Sequence, residues 1–146
     1  MWSVHYPGNG TASTRKGKDV RELTSHKVNE LNEALTIRVQ DEPSHGNACH
    51  AYCIYVPNDA FNEELNASIV CHINFQNGAI KESGINGISN EALLAVVEDR
   101  LQGFQSGDFA CRENALALTK IQEAMMWLHK RTLDRVARGV EGTHEK

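Results

Sequence analysis

The chain has 146 residues, a hydrophobic fraction of 40% and a formal charge of −4. That length supports one hydrophobic core and not two, and the acidic balance argues against a general binder of nucleic-acid polymers, which carries a basic surface. No apolar run reaches the roughly 18 residues of a membrane span, and the opening MWSVHYPGNG lacks the basic start and apolar centre of a signal peptide.

Residues 1–33 are polar and punctuated by YPGNGTASTRKGK, and they read as an arm with a short helical piece around Val20–Leu31. Trp2 and Tyr6 are unusual in such an arm and suit anchoring on another surface. From Ala34 onward (34–146) a single domain is expected, opening with a β part over 34–82. In ALTIRVQD the residues Leu35, Ile37 and Val39 alternate with polar ones, the period of a half-buried strand. ACHAYCIYVP follows, with Tyr52, Ile54 and Val56 on one face, Cys53 and Tyr55 on the other, and Pro57 ending the run. After the connection NDAFNEELN, ASIVCHINFQNG sets Ile69, Cys71, Ile73 and Phe75 against Val70 and His72. Three such runs predict an antiparallel meander, and Asn77-Gly78 suits a tight turn that returns AIKES as a short fourth strand.

At Ser89 the period becomes helical. Ser89 is a good N-cap, and Leu93, Val97, Leu101 and Phe104 form a stripe on a helix of about 15 residues. QSGDF interrupts it. A second helix of about 28 residues, Ala110 to Ala137, carries Leu118, Ile121, Met125 and Leu128 at steps of three and four. The fold expected is therefore α+β: an N-terminal antiparallel sheet of three to four strands, then an antiparallel helical hairpin (89–138) and a tail (139–146). At 1.5 Å per residue the longer helix overhangs by roughly 20 Å. Its Met125, Trp127, Leu128, Leu133 and Val136 exceed what the sheet and short helix can cover, which predicts a homo-oligomer.

The sequence holds no Walker or dinucleotide-type glycine loop, no His-Glu-x-x-His and no Gly-x-Ser-x-Gly, so no catalytic residues and no cofactor are assigned. Cys49, Cys53, Cys71 and Cys111 are expected as reduced thiols. If Cys49 and Cys53 share a strand they stand roughly 13 Å apart, too far to ligate one zinc ion, and no metal is expected. Arg131, Arg135 and Arg138 lie on one face of the second helix. They serve either the helix dipole and solubility or phosphate recognition by planar forks. Gly139 is a natural helix stop, whereas Gly142 and Thr143 add backbone N–H groups and a hydroxyl suited to an anion. Phe75, Asn77 and Asn86 read either as core and turn formers or as a pocket rim. In the second reading Phe75 and Phe104 stack on a base, the asparagine amides read its edge, Arg100 pairs with phosphate and Asp99 accepts from a ribose.

The continuous run FQNGAIKESGINGISNEALLAVVEDRLQGFQSGDFACRENALALTKIQEAMMWLHKRTLDRVARGVEGTH closely resembles the helical-hairpin domain of phage Thoeris anti-defence and anti-CBASS sponge proteins. The preceding IRVQDEPSHGNACHAYCIYV is similar to the sheet of the Thoeris-type members, so the resemblance covers roughly Leu35 to His144. It implies a non-enzymatic protein of the infected host's cytoplasm that sequesters cyclic nucleotide second messengers and assembles as a dimer or hexamer. The implied pocket for glycocyclic ADP-ribose isomers, shared between subunits, uses Phe75, Asn77, Asn86, Asp99, Arg100, Phe104, Gln105 and Arg112. The implied cyclic-trinucleotide site uses Arg135, Arg138, Gly139, Val140, Glu141, Gly142 and Thr143. The chain departs from this pattern at Ala51, where relatives carry a cation, and at Gly107-Asp108-Phe109, where they have Gly-Pro-Phe. A nucleotide-degrading enzyme and an oligomeric phage adaptor are the competing readings.

Overall fold

A computed structural model describes residues 21–56 and 69–145; Trp2, Tyr6, Pro57 and the NDAFNEELN connection lie outside these described residues. The elements in chain order are β1 (Glu22–Leu23), α1 (Glu30–Ala34), β2 (Thr36–Val39), β3 (Ala51–Tyr55), β4 (Ile69–Asn74), α2 (Ile80–Ser83), α3 (Asn90–Gln105) and α4 (Arg112–Ala137). The strands form one antiparallel sheet in sequence order, and α3 and α4 pack as a hairpin, giving the expected α+β class.

The period of two fixes the register, because a slip of one residue would exchange the faces of the sheet. Leu23 pairs with Ile37, Ile37 with Ile54 and Ile54 with Cys71, while Val39 pairs with Tyr52 and Tyr52 with Ile73. These side chains therefore share one face. Glu22, Arg38, Cys53 and His72 form the corresponding row on the other. There Arg38 Nε donates to Glu22 Oε1 at 3.1 Å, its guanidinium lies 5.2 Å from the centroid of the Tyr55 ring, and Cys53 Sγ lies 3.0 Å from His72 Nδ1. All four cysteines are free thiols.

Three local expectations change. AIKES does not return as a strand; Ile80–Ser83 is the helix α2. A hairpin at Asn77-Gly78 would aim the Asn77 N–H and C=O across the turn, but both bond instead to the Asn86 side chain. The edge beside Phe75 is taken by Ile88 in a parallel bridge. The fourth strand lies at the opposite edge, where Glu22–Leu23 pairs with β2. Among the described residues of that lead-in, helix is confined to Glu30–Ala34, started by Asn29, whose side chain accepts from Asn32 N at 2.9 Å.

The hairpin begins and ends where side-chain chemistry dictates. Ser89 Oγ accepts from Ala92 N at 3.1 Å to start α3, and Cys111 Sγ accepts from Asn114 N at 3.4 Å to start α4 at Arg112, two residues after the expected Ala110. Leu118, Ile121, Met125 and Leu128 are half-buried as expected, but on α3 the inner face is Leu93, Leu94, Leu101 and Phe104, with Val97 exposed. Gln122 Nε2 donates to Glu98 Oε1 at 3.2 Å across the hairpin. Helix α4 has 26 residues against 16 for α3, an excess of about 15 Å. Among the described residues only Val39, Cys53 and Ala79 are buried hydrophobics, while Trp127, Leu133 and Val136 of the long helix are all more than half exposed.

Candidate functional site

A cleft of about 910 Å³ lies where the sheet, the N-terminus of α3, the last turns of α4 and the C-terminal tail converge. Its walls include His45, His50, Tyr52, Phe75, Ser89, Asn90, His129, Arg131, Arg135, Glu141, Gly142 and Thr143.

The sheet side is built by a close backbone approach. Gln76 N donates to Ile88 O and Ile88 N to Asn74 O, both at 2.9 Å, which locks the segment before α3 against the end of β4. Gly87 permits this: a Cβ there would stand 2.4 Å from the carbonyl carbon of Phe75 and 2.6 Å from Gln76 N. Phe75, so held, meets Tyr52 edge to face with centroids 5.8 Å apart. Burial, followed by the neighbouring Cys49, pushes the Tyr52 phenol above its ordinary range, so it stays a neutral donor, here to Cys49 O at 3.2 Å.

Asn77 and Asn86 are joined to one another. Asn77 N donates to Asn86 Oδ1 and Asn86 Nδ2 to Asn77 O, each at 2.8 Å, and Asn86 N donates to Gln76 Oε1 at 2.9 Å. The amide of Asn86 thereby staples the loop that carries Phe75. A second support is Asp41, whose carboxylate accepts from His50 N at 2.8 Å and Ala51 N at 3.1 Å. Burial works against ionisation of Asp41, but the backbone N–H groups outweigh it and hold the carboxyl below its ordinary value of 3.8.

On the helical side, α4 ends in a Schellman motif. Val140 N donates to Arg135 O at 3.1 Å and Gly139 N to Val136 O at 2.9 Å, with Gly139 at φ +70°. A turn then closes with Thr143 N donating to Val140 O at 3.2 Å, Gly142 adopting φ +76°. Arg135 lies inside this tail. Its Nε donates to Glu141 Oε2 at 2.9 Å, Nη1 to Glu145 O at 2.7 Å, and Nη2 to Val140 O and Thr143 O at 2.9 Å. Arg138 Nε donates to Asp134 O at 3.3 Å. The tail also reaches α2, through Lys81 N donating to Gly142 O at 3.2 Å and His144 Nε2 lying 2.6 Å from Glu82 Oε2.

The remaining anticipated residues occupy the hairpin tip. Arg100 lies over the Phe104 ring at 4.8 Å, Phe104 meets the exposed Phe109 at 6.2 Å, and Gln105 Oε1 accepts from Cys111 N at 3.0 Å. Asp99 and Arg112 are exposed nearby. From Asn90 to Phe104 the helix rises about 21 Å. One chain therefore does not bring Asp99, Arg100, Phe104, Gln105 and Arg112 together with Phe75, Asn77 and Asn86. It does bring Phe75 together with Arg135, Glu141, Gly142 and Thr143, which the sequence divided between two sites. His45, His50, Tyr52, His129 and Thr132 of the cleft were not singled out for it. Arg131, the cleft's other guanidinium, belongs with Arg135 and Arg138 to the helix face whose spacing offered phosphate recognition as one of two readings.

A family model for the Acb2/Tad1 hairpin domain matches residues 67–133. The chain is also 61% identical over 74 residues to Thoeris anti-defense 1 of Bacillus phage SBSphiJ7, an alignment covering 51% of this chain and 52% of that protein. The chain thus spans about half the length of the curated relative it matches. The family match takes in Phe75 through Arg112 and stops before Arg135, so the tail side of the cleft lies beyond it. The similarity to the Acb2/Tad1 hairpin domain thus runs from β4 through most of α4.

Proposed function

We propose that this is a phage anti-defence protein that binds cyclic nucleotide immune signals in the cytoplasm of the infected host and withholds them without cleaving them. The single observation that carries the reading is the cleft. Its volume of about 910 Å³ is of small-ligand size, an aromatic pair forms one wall, and a guanidinium and hydrogen-bonding groups form the other. Phe75 and Tyr52 suit a base, and Arg131 with Thr143 suits phosphate and ribose. The hairpin-domain match and the identity to Thoeris anti-defense 1 point to the same class of activity.

In this reading glycocyclic ADP-ribose isomers occupy a pocket that joins Phe75, Asn77 and Asn86 of one subunit to Asp99, Arg100, Phe104, Gln105 and Arg112 at the hairpin tip of another. Cyclic trinucleotides occupy the tail site of Arg138, Gly139, Val140, Glu141, Gly142 and Thr143, with Arg135 beneath it. A homo-oligomer, dimer or hexamer, is required to join the separated halves of the first pocket. Exposed Trp127, Leu133 and Val136 supply apolar surface for that contact. Among the described residues no helix is long and apolar enough to cross a membrane.

Thermal-shift and calorimetric titration with ADP-ribose isomers and cyclic trinucleotides, followed by chromatography of the released ligand, tests the reading. Ligand at about 100 times its Kd adds roughly 2.7 kcal/mol of stability. Binding with intact recovery is expected. A hydrolysed or linearised product establishes an enzyme instead, and a flat response to every ligand favours an adaptor.

A further inference from the structure

We infer that Arg131, rather than Arg135, is the cation that meets an anionic ligand in the cleft, and that Arg135 is a positioning residue which holds the tail as the wall beside it. This rests on the nucleotide-binding reading above. The two arginines stand one helical turn apart on α4 and both line the cleft, but their hydrogen-bonding states differ. A guanidinium has five N–H donors in a fixed fork. Arg135 is largely buried and places its donors on four acceptors, the Glu141 carboxylate and the carbonyls of Val140, Thr143 and Glu145. To bind phosphate it would have to release the tail. Arg131 is exposed and, among the described residues, takes part in no hydrogen bond or ion pair.

Arg135 also decides where the negative charge of the tail points. Glu141 lines the cleft, and its carboxylate is turned onto Arg135 Nε. The other carboxylate of the cleft, Glu91, belongs to the first turn of α3. With Glu141 neutralised, Arg131 is the free cation among the described residues that line the space. The same clasp presses Gly142 against α2, where a Cβ would meet the Lys81 side chain at 3.5 Å, and sets His144 against His45 with the rings tilted by 53° and centroids 4.7 Å apart. The tail is thus a fixed wall running from α4 to α2, with Arg135 as its centre.

The test combines hydrogen exchange of the Val140–Glu145 amides in ligand-free protein with equilibrium binding of two probes, cyclic tri-adenylate and ADP-ribose. Arg131→Ala should leave tail exchange unchanged and weaken a bound probe by at least about tenfold, the loss expected for one charge-assisted hydrogen bond. Arg135→Ala should speed tail exchange in the absence of ligand and weaken the same probe. Arg135→Lys should speed it too, since one ammonium cannot reach four acceptors, and it serves if the alanine variant fails to fold. Adding Glu141→Gln to Arg135→Ala should recover part of the lost affinity, because the freed carboxylate is removed. Wild-type affinity in Arg131→Ala overturns the inference. So does an Arg135→Ala protein that loses binding while its tail exchanges as in the wild type. A wild-type protein that binds neither probe defeats the nucleotide reading and the ligand role of Arg131, and the exchange data then decide the role of Arg135 alone.

Discussion

Replacing Gly87 with alanine adds one methyl group at the tightest backbone crossing of the site. The new Cβ would stand 2.4 Å from the Phe75 carbonyl carbon and 2.6 Å from Gln76 N and Phe75 O, all main-chain atoms that no rotamer change can move aside. Restoring ordinary contact requires a separation of about 1 Å more, enough to break the bonds Gln76 N to Ile88 O and Ile88 N to Asn74 O. At about 1 kcal/mol each, their loss costs about 2 kcal/mol. For a chain near 150 residues this lowers Tm by roughly 4–8 °C. Because Phe75 is held by that bridge, ligand affinity should fall as well. Differential scanning calorimetry of Gly87→Ala beside Gly103→Ala makes the comparison clean. Gly103 lies in α3 with nothing within 4 Å of its added Cβ, so the same chemical change there should stabilise by about 0.5–1 kcal/mol. A Gly87→Ala protein with unchanged Tm and unchanged ligand affinity refutes the claim that the crossing builds the site.

Asn86→Ala removes both bonds to the Asn77 backbone; on this exposed loop chemical denaturation should show a loss of about 1 kcal/mol, with Phe75-dependent ligand binding weakened. Asp41→Asn places an NH2 against one of the N–H groups of His50 and Ala51, costing about 1–2 kcal/mol at neutral pH. Because the folded carboxyl titrates below its unfolded value of 3.8, its contribution is complete above that value and is lost as pH falls through the lower folded value. Denaturation midpoints of wild type and variant should therefore converge in acid. Leu133→Glu places a charge on the exposed apolar side of α4, and light scattering should show a smaller assembly than the wild type; an unchanged mass removes this face from the subunit contact.

Periodicity alone determined much of this protein. The switch from period two to period 3.6 at Ser89 located the sheet and hairpin, because both patterns are local consequences of backbone geometry. The same holds for the caps: Ser89 and Gly139 act through neighbours within a few residues. What local pattern could not reveal was which distant backbones meet. AIKES carries no mark separating a fourth strand from a helical turn; the choice was made by Asn86 and Ile88 closing on Asn77 and Phe75. Glu22–Leu23, too short to alternate convincingly, became a strand because β2 had an open edge. The spacing of Arg131 and Arg135 placed both on one helix face, yet only the folded tail distinguished them, by engaging one guanidinium with four acceptors and leaving its neighbour open. A donor's availability depends on the acceptors brought to it, and here those acceptors are placed by the tail's return beside α4.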